Sequence, residues 1–401
     1  MERTPRYRTE ITALFRVALV IFVVTVVIGI ANGTKVFGTL DRNVLLTHLH
    51  AGTIGWITLG AAALTLWLFS GAATGSGPRP LAVGLAVTVA CYVAAFLSGH
   101  IVARAVFGAL TLGAIVAFWL WTVTQARRVG WSALDTAQLG TTFSLTTLVI
   151  GSTLGVYGHV LYVTSNPGAL PQTIAGHAGA QTAGYLVLMA VTACEVFLRP
   201  GERRTRASTA QVLFLFAAGA ILVVGLLADL QPLLGLASLC QIVGTLIFLT
   251  RMARPVLGAT WLKAGSGRHF AIAVPFLIVN IGLTTYLVSQ LVGGKTFADI
   301  PRGVILALDH SIFVGVMTNV LFGVIGTMAK GDQAPWSDHV LFWGMNLGLI
   351  AFLGALLSAQ AQLEAFTAPI MGVSILIGIA VSLIRLGARE GPALRVAQAV
   401  R

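Results

Sequence analysis

Histidine is the residue type through which this chain can do chemistry. Of its eight histidines, His48, His50, His100, His159, His177 and His310 fall at one expected depth, near one end of long apolar runs, while only His269 and His339 fall near the other end. Ionisable side chains inside apolar segments are costly and generally face a functional interior. A neutral imidazole in such a place can ligate a metal or simply hydrogen-bond headgroups and loops, and six at one depth among eight favour the first. Two from facing helices supply both axial ligands of a heme iron, three suit copper or zinc, and one with an open position suits a five-coordinate heme. Cysteine offers nothing comparable. Cys91, Cys194 and Cys240 lie within apolar runs, with no CxxC and no CxxCH, which argues against a disulfide framework and a covalently attached c-type heme.

An internal repeat sorts the histidines. Displacing the sequence by 260 positions lays Asn32–His50 on Val292–His310 without a gap. Gly33, Lys35, Phe37, Arg42, Val44, Leu46, His50 and Gly55 then coincide with Gly293, Lys295, Phe297, Arg302, Val304, Leu306, His310 and Gly315. His177-Ala-Gly, echoing His50-Ala-Gly, reads as a weaker third copy. On a helix, residues two apart point about 200° away from each other, so His48 and His50 cannot serve one site. His50 has a counterpart at His310, and these two are the expected pair of heme ligands. His48 aligns with Leu308 and is expected to support that site or belong to another. Lys35, Arg42, Lys295 and Arg302 recur in the repeated segments, where they would neutralise heme propionates by charge-assisted hydrogen bonds or, alternatively, anchor loops at lipid headgroups. Gly52, Gly55, Gly60, Gly315, Gly323 and Gly326 allow close approach of a macrocycle or, more simply, of another helix.

The elements that must position these groups follow from composition. The 401 residues are 57% hydrophobic and only 9% charged, with a mean hydropathy of +0.90. Soluble domains carry roughly 25% charged residues, so this chain cannot cover a water-facing surface. Twelve runs are long enough to cross a bilayer: 11–31, 44–69, 81–101, 105–124, 140–162, 172–198, 210–229, 232–250, 270–292, 303–328, 337–358 and 364–386. Lipid leaves no partner for an open strand edge, so each is expected to be helical, giving a single all-α membrane domain over 1–401. Polar, turn-rich connectors such as Gly75–Pro80, Arg199–Arg206 and Arg251–Pro255 separate the spans. The N-terminal run lacks a small-residue cleavage site and reads as a retained first span.

The net charge of +12 does not indicate nucleic acid here, because the cations lie between the spans. All Lys and Arg except Lys35, Arg42, Arg104, Lys295 and Arg302 fall on one side of the expected topology. That bias places both termini in the cytoplasm of a bacterial-type inner membrane and the six clustered histidines near the outer face. Trp119, Trp121, Trp131, Trp261 and Trp336 mark the inner boundary as an aromatic belt. His269 and His339, beside polar connectors, are expected only to be solvated at the interface.

The segment Thr47-His-Leu-His-Ala-Gly-Thr-Ile-Gly-Trp56, the twelve spans, and histidines in the second, sixth and tenth of them resemble subunit I of the heme-copper oxidase and nitric oxide reductase superfamily. The nearest likeness is to small, reduced members, including NnrS-type membrane heme proteins of similar length. The resemblance covers the whole chain in topology, through short motifs. It implies three arcs of four helices about a pseudo-threefold axis, low-spin heme ligands at His50 and His310, and a copper ligand at His177. The sequence also departs from that pattern. The seventh span has no histidine for the expected pair, and Leu308 and Ile312 stand where the tenth would hold a second one. The binuclear oxygen-reducing centre therefore cannot be assembled from family positions, and any second metal would have to use His177 with His159, His100 or His48.

The acids within the spans are few: Glu195 near the inner end of the sixth, Asp229 at the outer end of the seventh, and Asp309 beside His310. None lies midway on a path from inside, so proton pumping is not expected. The leading expectation is a heme b protein, with a second heme or copper, handling electrons or a diatomic gas (nitric oxide or oxygen) near the outer face. A quinol or cytochrome would be its electron donor. Whether it turns over a substrate as an oxidoreductase is left open, since ligands define a cofactor and not a reaction. The competing expectations are a secondary transporter, for which twelve helices and repeats are common, and a heme or copper delivery factor. The transporter reading lacks a buried carboxylate pair, having only Asn280, Asn319 and Asn346 at depth.

Overall fold

The computed structural model describes residues 6–71, 78–328 and 335–387. Arg3, Lys330, Arg389, Arg395, Arg401 and the first half of the Gly75–Pro80 connector lie outside the described residues. Twelve helices are long and apolar enough to span a membrane: α1 Arg8–Thr34, α2 Arg42–Phe69, α3 Arg79–Ser98, α4 Ile101–Val129, α5 Thr136–Val163, α6 Leu170–Leu198, α7 Arg206–Ala228, α8 Gln231–Leu257, α9 Gly267–Val292, α10 Arg302–Met328, α11 Pro335–Leu357 and α12 Ala361–Gly387. No strand occurs among the described residues. Each helix overlaps the expected run and extends past it at one or both ends, and side chains cap the free backbone groups at the starts of α2, α5 and α7. Asp41 opens α2 by accepting from the Asn43 amide at 2.7 Å. Reciprocal capping pairs open α5 (Asp135 with Gln138) and α7 (Thr205 with Ser208).

The helices are unequally buried. α2, α6 and α10 form the interior, while α4 and α8 are among the least covered. The three interior helices share a local irregularity. π-helical segments begin at Ala51 in α2, Ala180 in α6 and Ser311 in α10, and a further, shorter one begins at Val340 in α11. Such turns are rare and concentrate at functional sites.

Aligned on these starts, the interior helices fall into common rows. His50, Gly179 and His310 share one row; His48, His177 and Leu308 share the row two residues earlier. Gly55, Gly184 and Gly315 share a third, and each admits the preceding outer helix. A β-carbon at these three positions would strike Ile21 of α1, Thr147 of α5 and Phe276 of α9 respectively. This register corrects the expected third copy of the repeat. His177 corresponds to His48, not to His50, because the glycine contacts and the π starts fix the match two residues away from the His-Ala-Gly echo.

The half of the bundle away from the clustered histidines is closed by apolar and polar locks. Trp67, Phe197 and Phe270 stack in succession, with centroids 5.3 and 4.3 Å apart. His269 is 5% exposed and bonds through Nδ1 to the Asn319 side-chain oxygen at 2.9 Å, and Asn319 pairs in turn with Asn346. His269 is thus part of the core and not a solvated interfacial group as expected, since α9 starts early enough to carry it beneath Phe342. His339 also has a partner, lying 3.2 Å from the Arg268 guanidinium.

At the same end Arg251 of α8 forks onto Glu195 of α6, which also accepts from Gln211 of α7 at 3.1 Å. Both charges are buried, at 9% and 5% exposure. Arg251 also reaches Glu202 at 3.3 Å, so removing Glu195 leaves it a carboxylate, while removing Arg251 leaves the buried Glu195 without its ion-pair partner, which costs about 3–5 kcal/mol. Arg251→Ala should therefore lower the thermal midpoint in detergent sharply, whereas Glu195→Ala, which leaves Arg251 paired with Glu202, should lower it less.

Candidate functional site

Two cavities open in the half of the bundle that holds the clustered histidines. The first, about 600 Å³, lies among α1, α2, α10, α11 and α12 and contains His48 and His310. The second, about 430 Å³, lies among α2, α3, α4, α5 and α6 and contains His50, His159 and His177. Both volumes fall in the range of roughly 300–1,000 Å³ typical of cofactor sites. The expected His50–His310 pairing is therefore not formed. These residues are equivalent by the repeat, but each lines a different cavity, because α2 shows opposite faces to its two neighbours.

The imidazoles are held in two ways, and each cavity has one of each kind. His310 and His50 bond through Nδ1 to carbonyls one turn back on their own helices, Leu306 and Leu46, both at 2.8 Å. His48 and His177 reach to the neighbouring helix instead. Nδ1 of His48 bonds the Thr25 carbonyl of α1 at 2.8 Å, and Nδ1 of His177 bonds the Gly151 carbonyl of α5 at 2.7 Å. Four residues beyond each of these carbonyls stands a glycine against the ring. A β-carbon on Gly29 would lie 2.9 Å from His48 Cε1, and one on Gly155 would lie 2.9 Å from His177 Nδ1. A carbonyl acceptor requires the proton on Nδ1, so in all four residues Nε2 is the unprotonated nitrogen left for a ligand. Outside the spacing of the repeat, nothing in the sequence marks Thr25, Gly29, Gly151 and Gly155 as the supports of these rings.

The second rows of contact repeat the same cyclic logic. The Trp56 indole of α2 donates to the Thr318 hydroxyl of α10 at 3.0 Å. The Tyr185 hydroxyl of α6 bonds the Thr58 hydroxyl of α2 at 3.4 Å. Trp56 and Tyr185 occupy one row, Thr58 and Thr318 another. The third junction, α10 against α6, has Val316 and Val187 in these rows and Leu308 and Gly179 in the histidine rows, so it is apolar throughout. Beside it Leu222, Leu234 and Val288 pack around Ala183 in a closed cluster.

The two cavities are separated by a single layer. Arg42, Leu46, Leu49, Thr53, Asp309 and Phe313 line both. Asp309 thus stands in the partition, while its neighbour His310 is oriented by Leu306 and not by this carboxylate, as expected from their angular separation. His159 fixes its ring on the Gly155 carbonyl at 2.9 Å and meets Phe96 and Tyr92 edge-on, with Phe96 in turn stacked 3.7 Å from the His50 ring.

Among the other expected residues, Lys35, Arg42 and Arg302 line the first cavity. Lys295 does not: it is exposed and donates to Gln290 at 2.7 Å. His100 lines neither cavity, since it is an exposed residue just ahead of α4 in extended backbone. Among the described residues no three His, Cys, Asp or Glu side chains stand close enough to hold a metal ion. The three-imidazole copper or zinc site, one of the two alternatives for a second centre around His177, is not found among the described residues. A residue the sequence reading passed over is Arg104, which is 6% exposed and lines the second cavity.

No protein-family model matches the chain, and no curated protein is similar to it.

Proposed function

We propose that this is a bis-histidine heme b protein of the inner membrane, with both termini cytoplasmic, holding one heme in each cavity and carrying electrons near the outer face. The observation that carries this reading is the pairing. Each cavity receives, from two different helices, two imidazoles whose Nδ1 is tied to a carbonyl and whose Nε2 has no hydrogen-bond partner among the described residues. The donor set suits heme iron, which takes two neutral imidazoles. The walls suit it too, since they are largely apolar below a rim of Lys35, Arg42 and Arg302, cations that form none of the ion pairs among the described residues.

Bound there, heme supplies one-electron redox chemistry. His48 and His310 would hold iron in the first cavity, and His50 and His177 in the second. Leu306, Leu46, Thr25 and Gly151 fix the tautomers, and the rim cations neutralise the carboxylates. Leu46, Leu49 and Phe313 are the apolar part of the partition, beside Arg42, Thr53 and Asp309. The buried lock of His269, Asn319 and Asn346 offers no acid between the inner end and the first cavity, which supports electron transfer without proton pumping. For nitric oxide or oxygen chemistry, the second cavity would be the favoured place, since His159 lines it as a further imidazole beside His50 and His177.

The test is an absorption spectrum of the purified chain, oxidised and dithionite-reduced, with a pyridine-hemochrome assay. The expected result is a sharp reduced α-band and two b hemes per chain, unaffected by His339→Ala. A colourless, iron-free protein from a heme-replete host would end this reading in favour of the transporter.

A further inference from the structure

The first cavity meets its cations at an accessible rim, but the second carries one that is sealed in. Arg104 sits in the first turn of α4 and is 6% exposed. Its guanidinium donates to the Asn43 side-chain oxygen at 2.6 Å and to the Phe96 carbonyl at 3.0 Å, with Nε 3.5 Å from the Ala95 carbonyl. The charge also lies over the Phe96 ring, 4.9 Å from its centroid. Every one of these partners is neutral. No ion pair among the described residues includes Arg104, and the other cation on the wall of this cavity is Arg42. Asp41, whose carboxylate caps the Asn43 amide, acts on this charge through space and forms no ion pair with it among the described residues. A buried cation without an ion-pair partner is costly, and neutral acceptors orient it without neutralising it. Because Asn43 and the end of α3 take the hydrogens of Nε and Nη2, the side chain is held in place and Nη1 is the nitrogen left to donate before anything binds.

We infer that Arg104 is the anion clamp of the second cavity, positioned by Asn43 and the Phe96 carbonyl to take a carboxylate or similar oxyanion. Resting on the reading above, the carboxylate is a heme propionate; a free oxyanion such as nitrite or acetate offers the same chemistry from another source. Arg42, in the partition, is shared between the cavities, so Arg104 is the group that distinguishes the second from the first.

The experiment uses the full chain carrying His310→Ala, which leaves only the second cavity, titrated with hemin and with hemin dimethyl ester, whose carboxylates are blocked. A charge-assisted bond to the clamp makes hemin bind about 10- to 100-fold more tightly than the ester. Arg104→Gln should bring that ratio close to one, and Arg104→Lys, which keeps the charge without the held guanidinium, should retain part of it. A parallel arm follows the thermal midpoint of the heme-free chain against nitrite and acetate. A rise that Arg104→Gln abolishes assigns the clamp to a free oxyanion, and supports the inference even where hemin itself fails to bind and the heme reading falls. An unchanged hemin-to-ester ratio in Arg104→Gln, or no discrimination together with no stabilisation by either anion, overturns the inference while leaving heme binding to be judged by its own spectrum.

Discussion

His310→Ala and His48→Ala should each reduce the heme content from two per chain to one, and combining them should remove no more. His50→Ala and His177→Ala should do the same for the other heme. The informative double variant is His50→Ala with His310→Ala, which takes one ligand from each cavity and should leave the chain without stably bound heme. If the repeat-equivalent residues shared one iron, that double variant would instead behave like either single one. Pyridine-hemochrome stoichiometry distinguishes these results, and the reduced α-band of each single variant gives the spectrum of one site at a time. His159→Ala should keep both hemes, since its ring is separated from His50 by Phe96. His100→Ala should also keep both, being outside either cavity.

The second large effect requires no change of ligand. Gly29→Ala places a methyl group within 2.9 Å of the His48 ring, and Gly155→Ala does so at His177. The ring must then rotate or the helices part, and either breaks the bond from Nδ1 to Thr25 or Gly151. Losing the group that orients a metal-ligating histidine typically costs 10–100-fold in affinity. Gly29→Ala should therefore weaken heme retention in the first cavity by about that factor and leave the second intact, with Gly155→Ala the mirror case. Heme transfer to an apo-acceptor, timed by the Soret band, measures both. Equal loss from the two sites in either variant would mean a general loosening of the bundle. A glycine elsewhere, such as Gly113, which faces open space, supplies the control.

Much of this arrangement was legible from composition and spacing. Twenty-residue apolar runs leave few options inside a bilayer, so all twelve helices were readable, and charge at their ends fixed the common depth of His48, His50, His159, His177 and His310. The pairing of ligands was not. A displacement of 260 positions finds residues that are equivalent, and in a cyclic arrangement equivalent residues face successive neighbours instead of one another. His50 and His310 match for that reason and are parted for the same reason. The angular rule that separates His48 from His50 held, but it says only that two faces are used, not which helix each face meets. Arg104 escaped because it lies outside the repeat. Its one signal was negative: of the five cations on the sparsely charged side, it alone stands inside the first turn of an apolar helix with no acidic neighbour in the preceding residues. The burial of His269 was hidden because a polar connector lies beside it, and a sequence gives no direct view of a helix starting a few residues early.

The apolar junction between α10 and α6 changes what kind of object the three interior helices make. Three like modules closed in a circle would give three equivalent junctions, with no first and no last. Leu308, Gly179, Val316 and Val187 cut one link of that circle. What remains is a line, α6 to α2 to α10, with two ends and a middle. Only α2 belongs to both equipped junctions, giving His48 and Trp56 to one and His50 and Thr58 to the other. A line has direction where a circle has none. Anything that passed between the cavities would cross the one layer that α2 and α10 build together, at Leu46, Leu49, Thr53, Asp309 and Phe313.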